Sequence, residues 1–234
     1  FIDNISKYGC DLFVSMSFNQ IFKNKIINLT KYKIINCHAG KIPFYRGRNI
    51  LNWALINNEE EFGITIHYVD KGVDTGDIIL QETYPITIQD NYATLIERAY
   101  IECANILYKA VCLFKNGGIV GKRQAEIDPT GFYCSQRKLG DEMLSWSHSS
   151  KDIFNFVRAI CFPGPMARAF INGEEIKINK VELVNGAISY KCITGAILNI
   201  NKEKVLVKTG DSVIKITEYE TEVKLKVGDR FEIR

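Results

Sequence analysis

Two hydrophobic periodicities share this chain, and the switch between them constrains the fold more than any single motif. From residue 11 to residue 116, short apolar runs that suit buried strands alternate with stripes at helical spacing. The strand-like runs are Asp11–Met16, Tyr32–Cys37, Gly63–Val69 and Ile78–Gln81. Residues 1–9 read as the tail of a helix, and Asn19–Leu29 carries Ile21, Phe22, Ile26 and Leu29 at helical spacing. Asn49 is placed to cap a short helix that buries Ile50, Trp53, Ala54 and Ile56. Asp90 is the candidate N-cap of the longest helix, whose stripe is Leu95, Ala99, Cys103, Ile106, Ala110 and Leu113, and Gly117-Gly118 stops it. Strands alternating with helices predict an α/β sheet.

Beyond residue 120 the pattern changes. Residues 126–140, with Pro129, Gly131, Ser135 and Gly140, read as a linker. Ser150 is placed to cap a helix burying Ile153, Phe154, Val157 and Ile160, which Pro163-Gly164-Pro165 ends. From Ala167 onward, short alternating strands are separated by Asn172-Gly173, Asn185-Gly186, Gly210-Asp211 and Gly228-Asp229. That spacing predicts a small OB-like β-barrel. The expected domains are residues 1–125, a linker over 126–140, and 141–234. Hydrophobic residues make up 46% of the chain, which excludes disorder over most of it. No apolar run reaches the roughly 20 residues of a membrane-spanning helix. The seven cysteines are odd in number and form no CxxC pair, so reduced thiols in a cytoplasmic protein are expected.

Asn36-Cys37-His38 closes the second apolar run. Residues i and i+2 of a strand share a face, so Asn36 and His38 point one way and Cys37 the other. A loop follows at once, placing both polar groups at the strand's C-terminal end, where open α/β sheets bind ligands. Asp74 lies in the Gly-rich loop Asp70–Gly76 after the next strand. With 34–38 and 63–69 as parallel neighbours, the two strand ends meet at one edge and the carboxylate stands beside the imidazole and the amide. An Asn amide holds a developing oxyanion. A His near its ordinary pKa takes a proton from an attacking amine, and an Asp orients that His or stabilises its charged form. No residue is placed as a covalent nucleophile, because Cys37 turns away from His38. His38, His67 and Asp74 lack metal-ligand spacing, so no metal is expected, and mid-strand His67 reads as structural or as a support behind the reacting residues. The set suits direct acyl transfer between two bound substrates.

With their neighbours, these residues resemble the 10-formyltetrahydrofolate-dependent formyltransferases. Asn36-Cys37-His38, then Ile42-Pro43-Phe44-Tyr45-Arg46-Gly47, then Gly63 to Asp70 (GITIHYVD), then Gly72 to Ile79 (GVDTGDII) follow the family's order and spacing, with Ile42 where Leu is usual. The resemblance implies a Rossmann-like catalytic sheet and 10-formyltetrahydrofolate as co-substrate. It also implies catalytic roles for Asn36, His38 and Asp74, and a folate pocket on Met16, Ser17, Phe18, Asp70, Gly72 and Val73. Tyr45, Arg46 and Gly47 fall on a substrate-side loop. The segments SWSHSSKDIFNFVRAI and FPGPMARAFINGEEIKI resemble the β-barrel appended to methionyl-tRNA formyltransferase and to several sugar N-formyltransferases. The family begins with a βαβ segment ahead of the strand at Asp11–Met16. This sequence does not include it, so the N-terminal strands are expected to be missing and the sheet to show an open edge.

Three acceptor amines are typical of the family: methionyl-tRNA, glycinamide ribonucleotide and a nucleotide-linked amino sugar. The appended β domain argues against the purine enzyme. Residues 140–234 carry 14 Lys plus Arg and 13 Asp plus Glu, a net of +1 and a poor platform for phosphates. The loop reads AGKIPFYRGRNILNWAL, where the tRNA enzymes more often have SLLPxxRGAAPI. Both details favour a nucleotide-linked amino-deoxysugar, with methionyl-tRNA as the alternative and a homodimer as one possible state. Two other classes remain open at this stage: a folate-dependent hydrolase, and a catalytically incomplete folate- or ligand-binding module.

Overall fold

The computed structural model describes residues 2–232. The elements in the first half are α1 (Ile2–Ser6), β1 (Phe13–Met16), α2 (Asn24–Ile27), β2 (Ile34–His38), β3 (Arg46–Gly47), α3 (Ile50–Ile56), β4 (Glu61–Tyr68), β5 (Ile78–Pro85) and α4 (Tyr92–Leu113). They are followed by β6 (Tyr133–Cys134), α5 (Ser150–Ile160), β7 (Ala167–Ile171), β8 (Glu174–Leu183), β9 (Ile197–Asn201), β10 (Lys204–Lys208) and β11 (Val213–Thr221). Two compact units interleave along the chain. The first holds residues up to Leu51, Glu60–Ile86 and Ile96–Gln136; the second holds Asn52–Glu59, Thr87–Leu95 and the residues from Arg137 on. The segments 52–59 and 87–95 thus pack with the C-terminal unit, which a linear division at residues 125 and 140 does not anticipate.

The first unit is built on a mixed sheet in the order β1-β2-β4-β5. β1 and β2 are parallel, and β2-β4 and β4-β5 are antiparallel. This corrects the expected parallel pairing of 34–38 with 63–69. The connection from His38 to Glu61 is long enough for either direction, and the pairs Asn36↔His67 and His38↔Thr65 show that the chain returns antiparallel. β2 and β4 bury Ile34, Ile35, Ile64 and Ile66, and they also carry the polar side chains Asn36, His38, Thr65 and His67. α4 lays Ala99, Cys103, Ile106 and Ala110 into this core, and the Cys37 thiol of β2 reaches the Cys103 carbonyl. β5 continues to Pro85, past the expected Gln81, because its register with β4 runs on to Glu61↔Pro85. α2 is a single turn rather than the helix expected over 19–29.

In the second unit, β7-β8-β11-β10-β9 form an antiparallel sheet. Its two edge strands are bridged by the chain near Phe231. Phe231 N–H donates to the Gly195 carbonyl just ahead of β9, and Glu232 N–H donates to the Phe170 carbonyl of β7. A small barrel results, around Ile176, Ile178, Val205, Val207, Ile214, Ile216 and Phe231. Two expected caps shift by one residue. Ser149, not Ser150, caps α5 by accepting from Asp152 N–H at 3.1 Å. Asn91, not Asp90, caps α4 by accepting from Thr94 N–H at 3.1 Å, while Asp90 accepts from Thr87. No helix among the described residues is long and apolar enough to cross a membrane.

Candidate active site

Register sets the face on which the candidate residues stand. Asn36 pairs with His67 and His38 with Thr65, so all four side chains share one face of the β2-β4 ladder. Asp74 does not arrive from a neighbouring strand end. The loop between Tyr68 and Ile78 folds back over this face, pinned by Tyr68 N–H to the Asp77 carbonyl at 2.9 Å. Within it, the Asp70 carboxylate accepts from Gly72 N–H at 3.0 Å and from the Thr75 hydroxyl at 2.5 Å. Asp74 takes the left-handed conformation (φ 54°), which a short polar side chain tolerates. Its Oδ2 accepts from Gly47 N–H at 2.9 Å and lies 3.5 Å from His38 Nδ1, and its Oδ1 lies 3.5 Å from His67 Nε2. The structure therefore gathers Asn36, His38 and Asp74 around His67.

The carbonyls fix the tautomers, because a carbonyl only accepts. His38 Nε2 lies 2.8 Å from the Tyr45 carbonyl and must carry the hydrogen. His67 Nδ1 lies 2.8 Å from the Tyr68 carbonyl and likewise donates. His67 Nε2 is then free to accept from the Asn36 amide at 3.2 Å. Asn36 keeps a second amide hydrogen with no protein acceptor among the described residues. His38 Nδ1 keeps its lone pair, facing the same space as the Asp74 carboxylate. Burial holds the His38 imidazole below its ordinary value, although Asp74 and the Tyr45 carbonyl pull it upward. Burial alone would raise the Asp74 carboxyl. The contacts with His67, His38 and Gly47 N–H outweigh that and hold it below the usual carboxylate range. At neutral pH the site thus presents a neutral imidazole, a carboxylate and an amide donor. That donor set fits the formyl end of 10-formyltetrahydrofolate, whose oxygen wants a donor while the incoming amine must lose a proton.

The loop 39–48 completes the site from within. Thr65 Oγ1 donates to the Gly40 carbonyl at 2.6 Å, and Gln81 Nε2 donates to the Ile42 carbonyl at 2.8 Å. Tyr45 adopts φ 54°, an uncommon conformation for an aromatic residue, and it aims its carbonyl at His38. Gly47 (φ 99°) passes so close to Cys134 that a Cβ would sit 2.4 Å from its carbonyl oxygen. The expectation of a substrate-facing Arg46 is corrected here. Arg46 is 8% exposed, and its Nε and Nη2 donate to Gln124 Oε1 at 3.0 and 2.7 Å. A guanidinium cannot shed its charge, so once buried it must find acceptors, and Gln124 supplies them. Tyr45 is buried beside Phe132, and Gly47 is committed to Asp74.

The folate-pocket candidates stand at the surface. Met16 and Phe18 are 43% and 53% exposed, Val73 is 44% exposed, and Ser17, Asp70 and Gly72 are exposed with them. Parallel pairing of Met16 with Cys37 sets the end of β1 beside the end of β2, so this part of the sequence geometry holds. Sequence reasoning undervalued His67, although its two-residue offset from Thr65 in β4 already put it on the paired face. It missed Gln124 altogether, because an isolated Gln in a polar stretch carries no periodic signal.

The chain matches the formyl transferase family over residues 1–111 and the formyl transferase C-terminal domain over residues 138–229. It is 33% identical over 229 residues to the methionyl-tRNA formyltransferase of Alkaliphilus oremlandii, covering 98% of this chain and 72% of that protein. A solved N-formyltransferase from Helicobacter canadensis, in complex with folinic acid and dTDP-3-aminofucose, is 27% identical. Its TM-score is 0.64, over 87% of this chain and 72% of that one. HypX from Aquifex aeolicus, solved with tetrahydrofolic acid, shares the fold at a TM-score of 0.68 and 20% identity, over 95% of this chain and 38% of that one. The chain belongs to the formyltransferase family. Members of this family are enzymes that take a formyl group from 10-formyltetrahydrofolate.

Proposed function

We propose that the protein transfers the formyl group of 10-formyltetrahydrofolate to the amine of a nucleotide-linked amino-deoxysugar. Asn36, His38 and Asp74 are the residues that act. The observation that carries the chemistry is the tautomer of His38. With Nε2–H committed to the Tyr45 carbonyl, Nδ1 is the one ring atom able to take the amine proton. The imidazolium then formed lies 3.5 Å from Asp74 Oδ2, which stabilises it, and it hands the proton to the folate nitrogen as the bond from that nitrogen to the formyl carbon breaks and tetrahydrofolate leaves. The free amide hydrogen of Asn36 donates to the formyl oxygen as negative charge develops there. Met16, Ser17, Phe18 and the loop Asp70–Val73 would hold the folate, with exposed apolar side chains beside the end of β2.

The choice of acceptor is supported by the outer face of the barrel. β8 and β11 carry alternating charges that pair across the strands: Lys180 with Glu218 at 3.7 Å and Lys215 with Glu182 at 3.9 Å, while Arg168 of β7 meets Glu175 at 3.3 Å. Each of these three cations has a carboxylate partner, which weakens it as a phosphate contact. The second reading is methionyl-tRNA as acceptor, and the names of the sequence relatives favour it, as with the 33% identical Alkaliphilus protein.

The deciding experiment offers the protein 10-formyltetrahydrofolate with dTDP-linked 3- and 4-amino-dideoxyhexoses in one arm and initiator methionyl-tRNA in the other. Mass spectrometry reads the one-formyl increment. A gain on the sugar supports the first reading, and a gain on methionyl-tRNA alone replaces it with the second. No gain in either arm removes formyl transfer as the activity of this chain.

A further inference from the structure

Gln124 lies far along the chain from both Arg46 and Asp74, yet it joins the two loops that carry them. It is 4% exposed and spends its whole amide. Oε1 accepts both Arg46 Nε (3.0 Å) and Nη2 (2.7 Å). Nε2 donates to the Asp74 carbonyl at 2.8 Å and to the Gly76 carbonyl at 2.7 Å. Arg46 belongs to the loop whose next residue, Gly47, donates its N–H to the Asp74 carboxylate. Asp74 is thus gripped at both ends, by Gln124 at its carbonyl and by Gly47 at its carboxylate, and both grips trace back to Arg46. The guanidinium also polarises the amide, which strengthens the two bonds to the carbonyls.

We propose that Gln124, locked onto Arg46, is a positioning residue that sets the distance between the Asp74 carboxylate and His38 Nδ1. It touches neither substrate nor the reacting atoms, and it acts through the backbone of residues 74–76. The inference rests on the reading of His38 and Asp74 as the proton-handling pair. Its test is therefore read on the imidazole itself and needs no turnover.

The chain has three histidines, so their ring resonances can be titrated individually in labelled protein, with exposed His148 as an internal reference. His38 is faced by the Asp74 carboxylate, by the Tyr45 carbonyl and by the His67 ring, whose centroid lies 6.4 Å away. Gln124→Glu keeps both acceptor contacts to Arg46 and turns them into an ion pair, but it sets carboxylate lone pairs against the Asp74 and Gly76 carbonyls. Gln124→Met removes the donors without adding charge. In both variants Asp74 drifts from the imidazole and the His38 midpoint falls by about one pH unit, the usual size for loss of a close opposite charge. The charge added by Glu acts in the other direction, so a fall in Gln124→Glu cannot come from it. Arg46→Lys, which holds Oε1 by a single point donor, lowers the midpoint by less.

A Gln124 that merely anchored a buried Arg46 would leave Gln124→Glu like the wild type. An unmoved His38 midpoint in Gln124→Glu and Gln124→Met overturns the proposal, and should Gln124→Met fail to fold, Gln124→Glu and Arg46→Lys decide it. A wild type that forms no product while the His38 midpoint still shifts would sink the functional reading and leave the clamp standing.

Discussion

Gly40 is the position where the site tolerates least addition. A Cβ there would lie 2.3 Å from His38 Nε2, 2.7 Å from its Cδ2 and 2.4 Å from the Tyr45 carbonyl oxygen, where ordinary contact begins near 3.4 Å. It would occupy the path of the 2.8 Å bond that fixes the His38 tautomer. Gly40 is not in the left-handed region, so Gly40→Ala adds no backbone strain and its effect is contact alone. Either the loop retreats by about 1 Å, against the Thr65 and Gln81 bonds that hold it, or the ring turns and leaves Nε2–H buried without an acceptor. A stranded buried donor costs about 1–3 kcal/mol and overpacking about the same, so by either route roughly 1–3 kcal/mol of stability is lost. A displacement of about 1 Å in a reacting group costs about 10²-fold in rate. Urea unfolding and kcat at saturating donor and acceptor measure the two effects. Gly118→Ala is the control, since a Cβ there meets nothing closer than Tyr32 at 3.7 Å. If Gly40→Ala matched that control in both midpoint and kcat, the reasoning that places the His38 hydrogen on Nε2 would be refuted.

Asn36→Ala and His38→Ala are each expected to lower kcat by about 10²–10³, with little change in the donor's Kd by calorimetry; near-normal turnover in either removes that residue from its role. His67→Ala frees the Asn36 amide from its acceptor and is expected to cost about tenfold in kcat, partly recovered in His67→Gln, whose amide oxygen still accepts; equal rates in the two variants would deny His67 its orienting part. Stability should decline with acid in two stages. His38 is held below its ordinary value, so the unfolded chain binds a proton the native protein refuses, and stability drops as pH falls below about 6.5. Asp74 is also held low, so its contribution is present above about 3.9 and is lost as pH falls through its native value. Urea midpoints of wild type and His38→Gln across this range test the first stage, which should vanish in the variant. The acidic limb of kcat/KM should likewise lie below about 6.5, because the base stays unprotonated to that point.

Much of the site was legible because strand alternation is a strong local rule. It put Asn36 and His38 on one face and turned Cys37 toward α4, where it meets Cys103. The order of the helices and strands and the all-β C-terminal half were readable from hydrophobic period. Direction was not. Whether β4 runs with or against β2 is set by long-range strand pairing, and a short helix between two strands is compatible with either direction. The fate of Arg46 was unreadable for a different reason. An Arg in a polar loop looks solvated until Gln124, distant in sequence, is seen to offer it a buried acceptor.

The left-handed backbone at Asp74 has one last consequence. Asparagine is the other residue at ease in that geometry, and its side-chain oxygen can still receive the Gly47 N–H. Position 74 can therefore surrender its negative charge without altering its silhouette. Asp74→Asn separates form from electrostatics at this position, and whatever activity it lacks measures the anion by itself.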